Sequence, residues 1–487
     1  MSLPPNAMDK FINELDMALA DAHKSLLYRK EMQSTINFNV ATKKPELIAP
    51  AKPTPHEFKV LSDIDDQEGL RFQIPVIQFY RRNLSSKERD PVKVIRDAIA
   101  NALVPYYPFA GRLREHANRK LVVECNGEGV VFIEADADVA LQQLGDALYP
   151  PFPNLDNLLH HLPATAGIID CPLLLIQVTR LKCGGFVVAT RLNHTMSDAA
   201  GLVQFMSAVG EFARGDASPS IQPVWERHLL SARNPPRVTC THHEYDHNTT
   251  TSEGNHAPPD DDNKMVDRSF LFTPADISAL RRILPPRLRG SSSFEIATAC
   301  TWRCRAISLS LNPEEEIALS CLVNVRKRLN PPLPEGYYGN AVVYPATVTT
   351  AEKLTTSPLQ HAVELLRNAK SRAAWEYVKS VADLMVMRGR PCFKTRGIYL
   401  VSDVTRAGFG EVDYGWGSAE YGGPALCGID LVPGVVSFAL PYKSTNGEKG
   451  IRFTMSLPSN AMDKFINELE TAMAVARKSL FIRESAL

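Results

Sequence analysis

Two short strings in this chain hold residue types that could do chemistry. The first is His194-Thr195-Met196-Ser197-Asp198. An imidazole whose ordinary pKa is about 6.5 can take a proton from a hydroxyl near neutral pH. Asp198, four residues on, suits a structural role: it can accept backbone N–H groups at a helix start or pair with an arginine. The bare pattern HxxxD is common, and a loop histidine followed by a capping aspartate satisfies it equally well. The second string is Asp413-Tyr414-Gly415-Trp416-Gly417, where glycines flanking a tryptophan predict a tight turn with close backbone approach. Pro331 to Asn340 (PPLPEGYYGN) is a rigid loop by composition. Thr241 to His247 (THHEYDH) has the residue types of a metal site but no helical spacing to fix ligands, so it is read as a solvated loop and no metal is expected. Cys300 and Cys304 share one helix face without a second pair and are read as buried packing.

The elements that must position these strings follow from periodicity. Asp90 to Val104 carries Val92, Ile95, Ile99 and Leu103 at helical spacing. Strands are predicted at Lys120–Cys125, Gly129–Glu134 and Leu173–Leu181. The mixed apolar run Gly185–Asn193 predicts a central buried strand that delivers His194 at its end, with a helix following from Ala199 to Gly210. Periodicity then fails through a Pro-, Asn-, Thr- and His-rich stretch. A second set follows: helices at Pro274–Ile283 and Ser293–Arg305, and strands at Glu316–Val325, Ala341–Thr347, Gly397–Val401, Val432–Leu440 and Gly450–Met455. The expected fold is α/β: two similar-sized mixed-sheet lobes, 32–215 with HTMSD and 268–487 with DYGWG. A surface crossover over 216–267 joins them, and the active-site channel lies at their interface.

The two ends of the chain repeat each other. Residues 1–33 align on 455–487 with 21 of 33 positions identical, beginning MSLPPNAMDKFINEL against MSLPSNAMDKFINEL. The second copy continues an extended run from Gly450, so it has a strand to finish, whereas the first has nothing before it. Residues 1–31 are therefore expected to be a duplicate of the C-terminal tail brought in by a misplaced gene model, with a native start at Met32; a genuine docking arm is the alternative.

Composition bounds the class. The 487 residues hold 54 basic and 54 acidic side chains, with 44% hydrophobic and 22% charged content, ordinary for a globular protein and unlike a disordered or fibrous one. That balance has no electrostatic footprint for nucleic acid or for a membrane surface. Nine cysteines without framework spacing fit a reducing compartment, and no apolar run is long enough to span a bilayer. The expectation is a cytoplasmic monomer.

Together, HTMSDAAG, DYGWG, YYPFAGRL, NVRKRLNPPLPEGYYGN and LPSNAMDKF resemble the plant BAHD acyl-CoA-dependent acyltransferases, in the family's order and over nearly all of 32–487. Lys44–Tyr80 and LVSDVTRAGFGEVDYGWG look like the family's alcohol acyltransferase branch. The resemblance implies an O-acyltransferase with acyl-CoA as co-substrate and no bound cofactor. It implies His194 as general base, Asp198 paired with Arg326 to hold the site's shape, and Asp413 and Trp416 as indirect supports of the coenzyme-binding lobe. Arg406 is the candidate for the coenzyme's phosphates. The expected donors are benzoyl-CoA or acetyl-CoA and the expected acceptors small benzyl-type or aliphatic alcohols. Another branch acting on a larger hydroxyl or an amine, a condensation-type enzyme using carrier-bound acyl groups, and an idle ligand-binding member are the other readings. Tyr414 stands where the family's DFGWG has Phe, so its hydroxyl needs a partner if buried. Asn324 stands where many members carry Asp. A thioester is already activated, so no covalent serine is required, and the chain has no GxSxG elbow.

Overall fold

The computed structural model describes residues 36–83, 89–145, 148–160, 167–245, 264–443 and 447–484, with side chains as far as 478. The duplicated segment 1–31 lies outside the described residues, as do His247 and the acidic run 260–262.

Two six-membered strand paths form the frame. In the first sheet the order is Val40–Thr42, Val130–Ala137, Leu174–Leu181, Phe186–Asn193, Gln73–Tyr80 and Tyr421–Pro424. Glu46–Ile48 also pairs with Val130–Ala137. Only the pairing of Val130–Ala137 with Leu174–Leu181 is parallel. Phe186–Asn193 is interior, and its side chains are buried except at Arg191, which is why the sequence reads as a continuous apolar run. Helices Pro91–Ala102 and Ala199–Arg214 pack on each other beside this sheet. The first is capped by Asp90, whose side chain accepts from the Val92 amide, and it buries Val92, Ile95 and Ile99.

The second sheet runs Met265–Phe272, Lys449–Pro458, Val436–Lys443, Ile398–Asp403, Glu316–Cys321 and Ala346–Thr350. Helices Ser293–Ser308, Leu359–Ser371 and Ser459–Glu484 form a connected layer with it, the middle one contacting Glu316–Cys321. Ser292 and Glu295 close a capping box at the first of these helices, leaving Cys300 and Cys304 buried in the core. None of the nine cysteines, all of them among the described residues, forms a disulfide. The C-terminal copy of the repeat finishes the strand Lys449–Pro458 and buries Met462, Phe465, Leu469 and Met473 of the last helix.

The structure departs from the expected lobe division in three ways. Tyr421–Pro424 belongs to the first sheet, paired antiparallel with Gln73–Tyr80, so the chain crosses back to that side after Asp403 and returns at Val436. The stretch 216–245 is not mere surface: Arg227, Leu230, His242, Glu244 and Tyr245 are all buried. Glu244 accepts from the Tyr377 hydroxyl, and the two ring nitrogens of His242 contact Glu244 Oε1 at 3.2 Å and Ser380 Oγ at 2.8 Å. The solvated-loop reading fails there because partners more than a hundred residues away satisfy these polar groups. The second sheet also begins at Met265, inside the expected crossover.

Candidate active site

A cavity of about 460 Å³ lies between the two sheets. Its walls come from both: Ile74, Val76 and Leu192 from the first, and Leu400, Val436 and Phe438 from the second. His194 and Arg406 line it; Arg326, Asp413 and Trp416 do not.

Every residue of HTMSD is fixed by a separate bond. The His194 amide donates to the Phe72 carbonyl at 2.9 Å, and its own carbonyl accepts from Asn340 Nδ2 at 2.8 Å. The Thr195 hydroxyl donates to Asn193 Oδ1 at 2.8 Å, Met196 offers its carbonyl to Arg227 Nη2 at 2.9 Å, and the Ser197 hydroxyl donates to the Tyr338 carbonyl at 2.6 Å. Asp198 caps the helix Ala199–Arg214 by accepting from the Gly201 amide at 3.0 Å and also accepts from the Ala341 amide at 2.9 Å. Arg326 meets it bidentately, Nη1 to Oδ2 at 2.7 Å and Nη2 to Oδ1 at 2.8 Å, and donates further to the carbonyls of Gly339 and Tyr337. Asn324 Oδ1 accepts from the Arg326 amide at 3.0 Å, so the amide side chain shapes the turn that presents the guanidinium.

Electrostatics follow from burial. The His194 ring is 9% exposed and tilts against Phe72 at 5.5 Å between centroids. Burial pulls its pKa below the usual 6.5, against the opposing pull of its own carbonyl and Asp198. Nδ1 is buried without a hydrogen-bond partner of ordinary geometry, and the residue lines the cavity. Burial alone would raise the Asp198 carboxyl; the Arg326 charge and the two amides outweigh it, and the group stays ionised below the usual carboxylate range.

Sequence reasoning passed over a buried network beneath this loop. Asp65 Oδ1 accepts from Arg227 Nη1 at 2.7 Å and from the amide and side chain of Asn340 at 2.8 and 3.0 Å. The Arg227 guanidinium lies over the Trp225 ring at 4.3 Å. Asp65 thus holds Asn340, and Asn340 holds the His194 backbone. Only Asn340 stood inside a string that composition singled out, and nothing local in Asp65 or Arg227 points to the other.

DYGWG sits elsewhere. Asp413 Oδ1 accepts from the Gly415 and Gly417 amides at 2.7 and 2.8 Å, closing the predicted turn. The Asp413 carbonyl accepts from Arg214 and packs so closely on Gly210 that a Cβ there would overlap it. Trp416 packs edge-on to Phe186 at 5.2 Å beneath Arg89 at 5.3 Å. The Tyr414 hydroxyl donates to Gln78 Oε1 at 3.2 Å, which supplies the partner its burial demands. These contacts place the turn in the core of the first sheet rather than on the second. Among the described residues no cluster of metal-ligating side chains occurs, and no helix is long and apolar enough to cross a membrane.

The fold is thus a paired-sheet architecture in which a histidine-bearing loop meets an inter-sheet cavity. The profile of the Transferase family matches residues 38–472, and the chain belongs to that family, the one its motifs resemble. It is 61% identical to a benzyl alcohol O-benzoyltransferase of Nicotiana tabacum, over 91% of this chain and 96% of the relative. A benzyl alcohol O-benzoyltransferase of Petunia hybrida is 60% identical over 91% of this chain and 95% of its own length. Among solved structures, vinorine synthase superposes with a TM-score of 0.67 at 22% identity, covering 88% of this chain and 96% of that one.

Proposed function

We propose that this protein is an acyl-CoA-dependent alcohol O-acyltransferase in which His194 is the general base. The observation that carries the reading is His194, its backbone fixed at both the amide and the carbonyl, on the wall of a cavity lined by both sheets. The ring nitrogen takes the proton of the bound alcohol, and the alcohol oxygen attacks the thioester carbonyl. The tetrahedral intermediate then breaks its C–S bond, releasing the ester, and the imidazolium returns its proton to the departing sulfur. Asp198 and Arg326 hold the loop that aims the ring. Arg406, exposed at the cavity rim, binds phosphate oxygens of the coenzyme. Asp413 and Trp416 act through packing alone. The cofactor need is limited to acyl-CoA as co-substrate.

The names and identities of the relatives favour benzoyl-CoA with benzyl alcohol as the leading pair, and the mainly aliphatic and aromatic wall favours apolar acceptors. Both walls come from one chain, so a monomer holds the complete site, and a cytosolic location agrees with the absence of disulfides among the cysteines. Purified protein with benzoyl-CoA or acetyl-CoA and a panel of small alcohols should release free thiol and form ester, read by mass. Both signals should vanish with His194→Ala. Ester formation unchanged in that variant overturns the general-base assignment; no ester from any pair in a folded protein that binds coenzyme A overturns the alcohol reading.

A further inference from the structure

The strand Ile398–Asp403 runs along the cavity with alternate residues Ile398, Leu400 and Ser402 on its wall. Phe393 precedes that strand and Arg406 follows it, and both line the cavity. Six extended residues span about 20 Å, so the strand sets the two apart along the cavity. On the proposed reaction, Arg406 marks the coenzyme end, and the end closed by Phe393 is left for the alcohol.

Phe393 is held from three sides. Tyr245 stacks on it at 5.0 Å with the rings 20° apart, and Tyr344 meets it edge-on at 4.8 Å. Behind the stack, the buried Tyr245 hydroxyl donates to Gln67, so that wall is anchored. The third side is Gly69, which also lines the cavity; a Cβ built there would overlap Cδ2 and Cε2 of the Phe393 ring. The ring therefore takes the space that a side chain at residue 69 would fill. A methyl group at 69 would have to displace the ring, and the two tyrosines close two of the directions it could take.

We propose that Gly69 and Phe393 together set the size of the alcohol this enzyme accepts. The inference rests on the acyltransferase reading for the identity of the ligand and on packing alone for the gauge. Phe393→Ala enlarges the acceptor end, Gly69→Ala shrinks it, and the double variant recovers the enlarged pocket because no ring remains to be displaced.

The test compares kcat/KM for 2-naphthylmethanol and benzyl alcohol at a fixed acyl-CoA in the wild type, Phe393→Ala, Phe393→Leu, Gly69→Ala and Gly69→Ala/Phe393→Ala. Each variant is first checked for cooperative thermal unfolding. A change in pocket fit of this kind moves selectivity by roughly tenfold or more. The naphthyl-to-benzyl ratio should rise about tenfold in Phe393→Ala, rise less in Phe393→Leu, fall several-fold in Gly69→Ala, and rise again in the double variant. Phe393→Leu keeps the test open if Phe393→Ala or Gly69→Ala does not fold. Ratios within twofold of wild type across the folded variants overturn the proposal, as does a shift confined to donor preference between acetyl-CoA and benzoyl-CoA. Thermal stabilisation by the same two alcohols without donor should follow the same order. That order in a protein with no turnover supports the gauge while sinking the reaction; turnover with no such order does the opposite.

Discussion

The helix Ala199–Arg214 carries one of the two motifs at each end, and the two ends are built to different purposes. At its start, Asp198 is satisfied by two amides and by Arg326, 128 residues away, and its neighbour His194 faces the cavity. At its finish, the Asp413 carboxylate is satisfied by amides of its own turn, and its carbonyl meets the helix at Arg214 and Gly210. One aspartate therefore ties separate parts of the chain together around a reacting group, while the other folds its own loop and presses it into an apolar core. At about 1.5 Å per residue, these 16 residues separate the two sites by roughly 24 Å. Two strings that look alike in chemical content thus differ in consequence: damage at the first should appear in chemistry, and damage at the second in stability.

That contrast breaks most directly at His194. His194→Ala should lower kcat by about 10²–10⁴-fold, the usual contribution of a general base, with little change in coenzyme binding measured by calorimetry. Asp198→Ala should come next, because it leaves the partly buried Arg326 guanidinium without its carboxylate. A loss of about 3–5 kcal/mol in urea unfolding, with kcat falling as well, is expected. Asp413→Ala removes an acceptor from two amides and should cost about 2 kcal/mol, while kcat of the folded fraction stays within about threefold of wild type. A large kcat loss in Asp413→Ala at full stability would erase the distinction between the two ends.

Two smaller effects sharpen it. The folded His194 pKa lies below 6.5, so the unfolded chain takes up a proton first as the pH falls. Stability from this group is therefore intact above 6.5 and declines below it until the folded ring also protonates. The acid limb of kcat/KM should correspondingly fall below pH 6.5, and an acid limb above that value would contradict a neutral buried base. Tyr414→Phe deletes one hydroxyl bonded to Gln78, and Gln78 keeps its bond to the Phe409 carbonyl. A loss of about 1 kcal/mol in unfolding free energy with kcat unchanged is the expected result.

How much could be read in advance varies with the range of the interaction. The amphipathic face of Pro91–Ala102 and the apolar run of Phe186–Asn193 were legible because burial on one side of an element imposes a local period. The strand Gln73–Tyr80 was not marked as a strand, although it is the one that brings Gln78 and Tyr80 to the 409–414 segment. Arg326 was named only through resemblance; its bidentate contact with Asp198 follows from the way the 337–341 segment folds over the HTMSD loop. Asp65, Arg227 and the Glu244 cluster were missed because an isolated charged residue in a polar stretch reads as solvated until its partner is known.

By itself, the sequence determined most of the elements, the tight turn at Asp413 and the placement of a histidine at the end of a buried strand. These depend on neighbours within a few positions, where spacing translates directly into geometry. Only the tertiary structure decided that the 404–424 segment serves the first sheet, that Asp65 and Arg227 brace the histidine loop, and that Gly69 leaves room for Phe393. Each of those requires groups far apart along the chain to meet at a few ångströms, and the docking of the two sheets, which no local period encodes, brings them there.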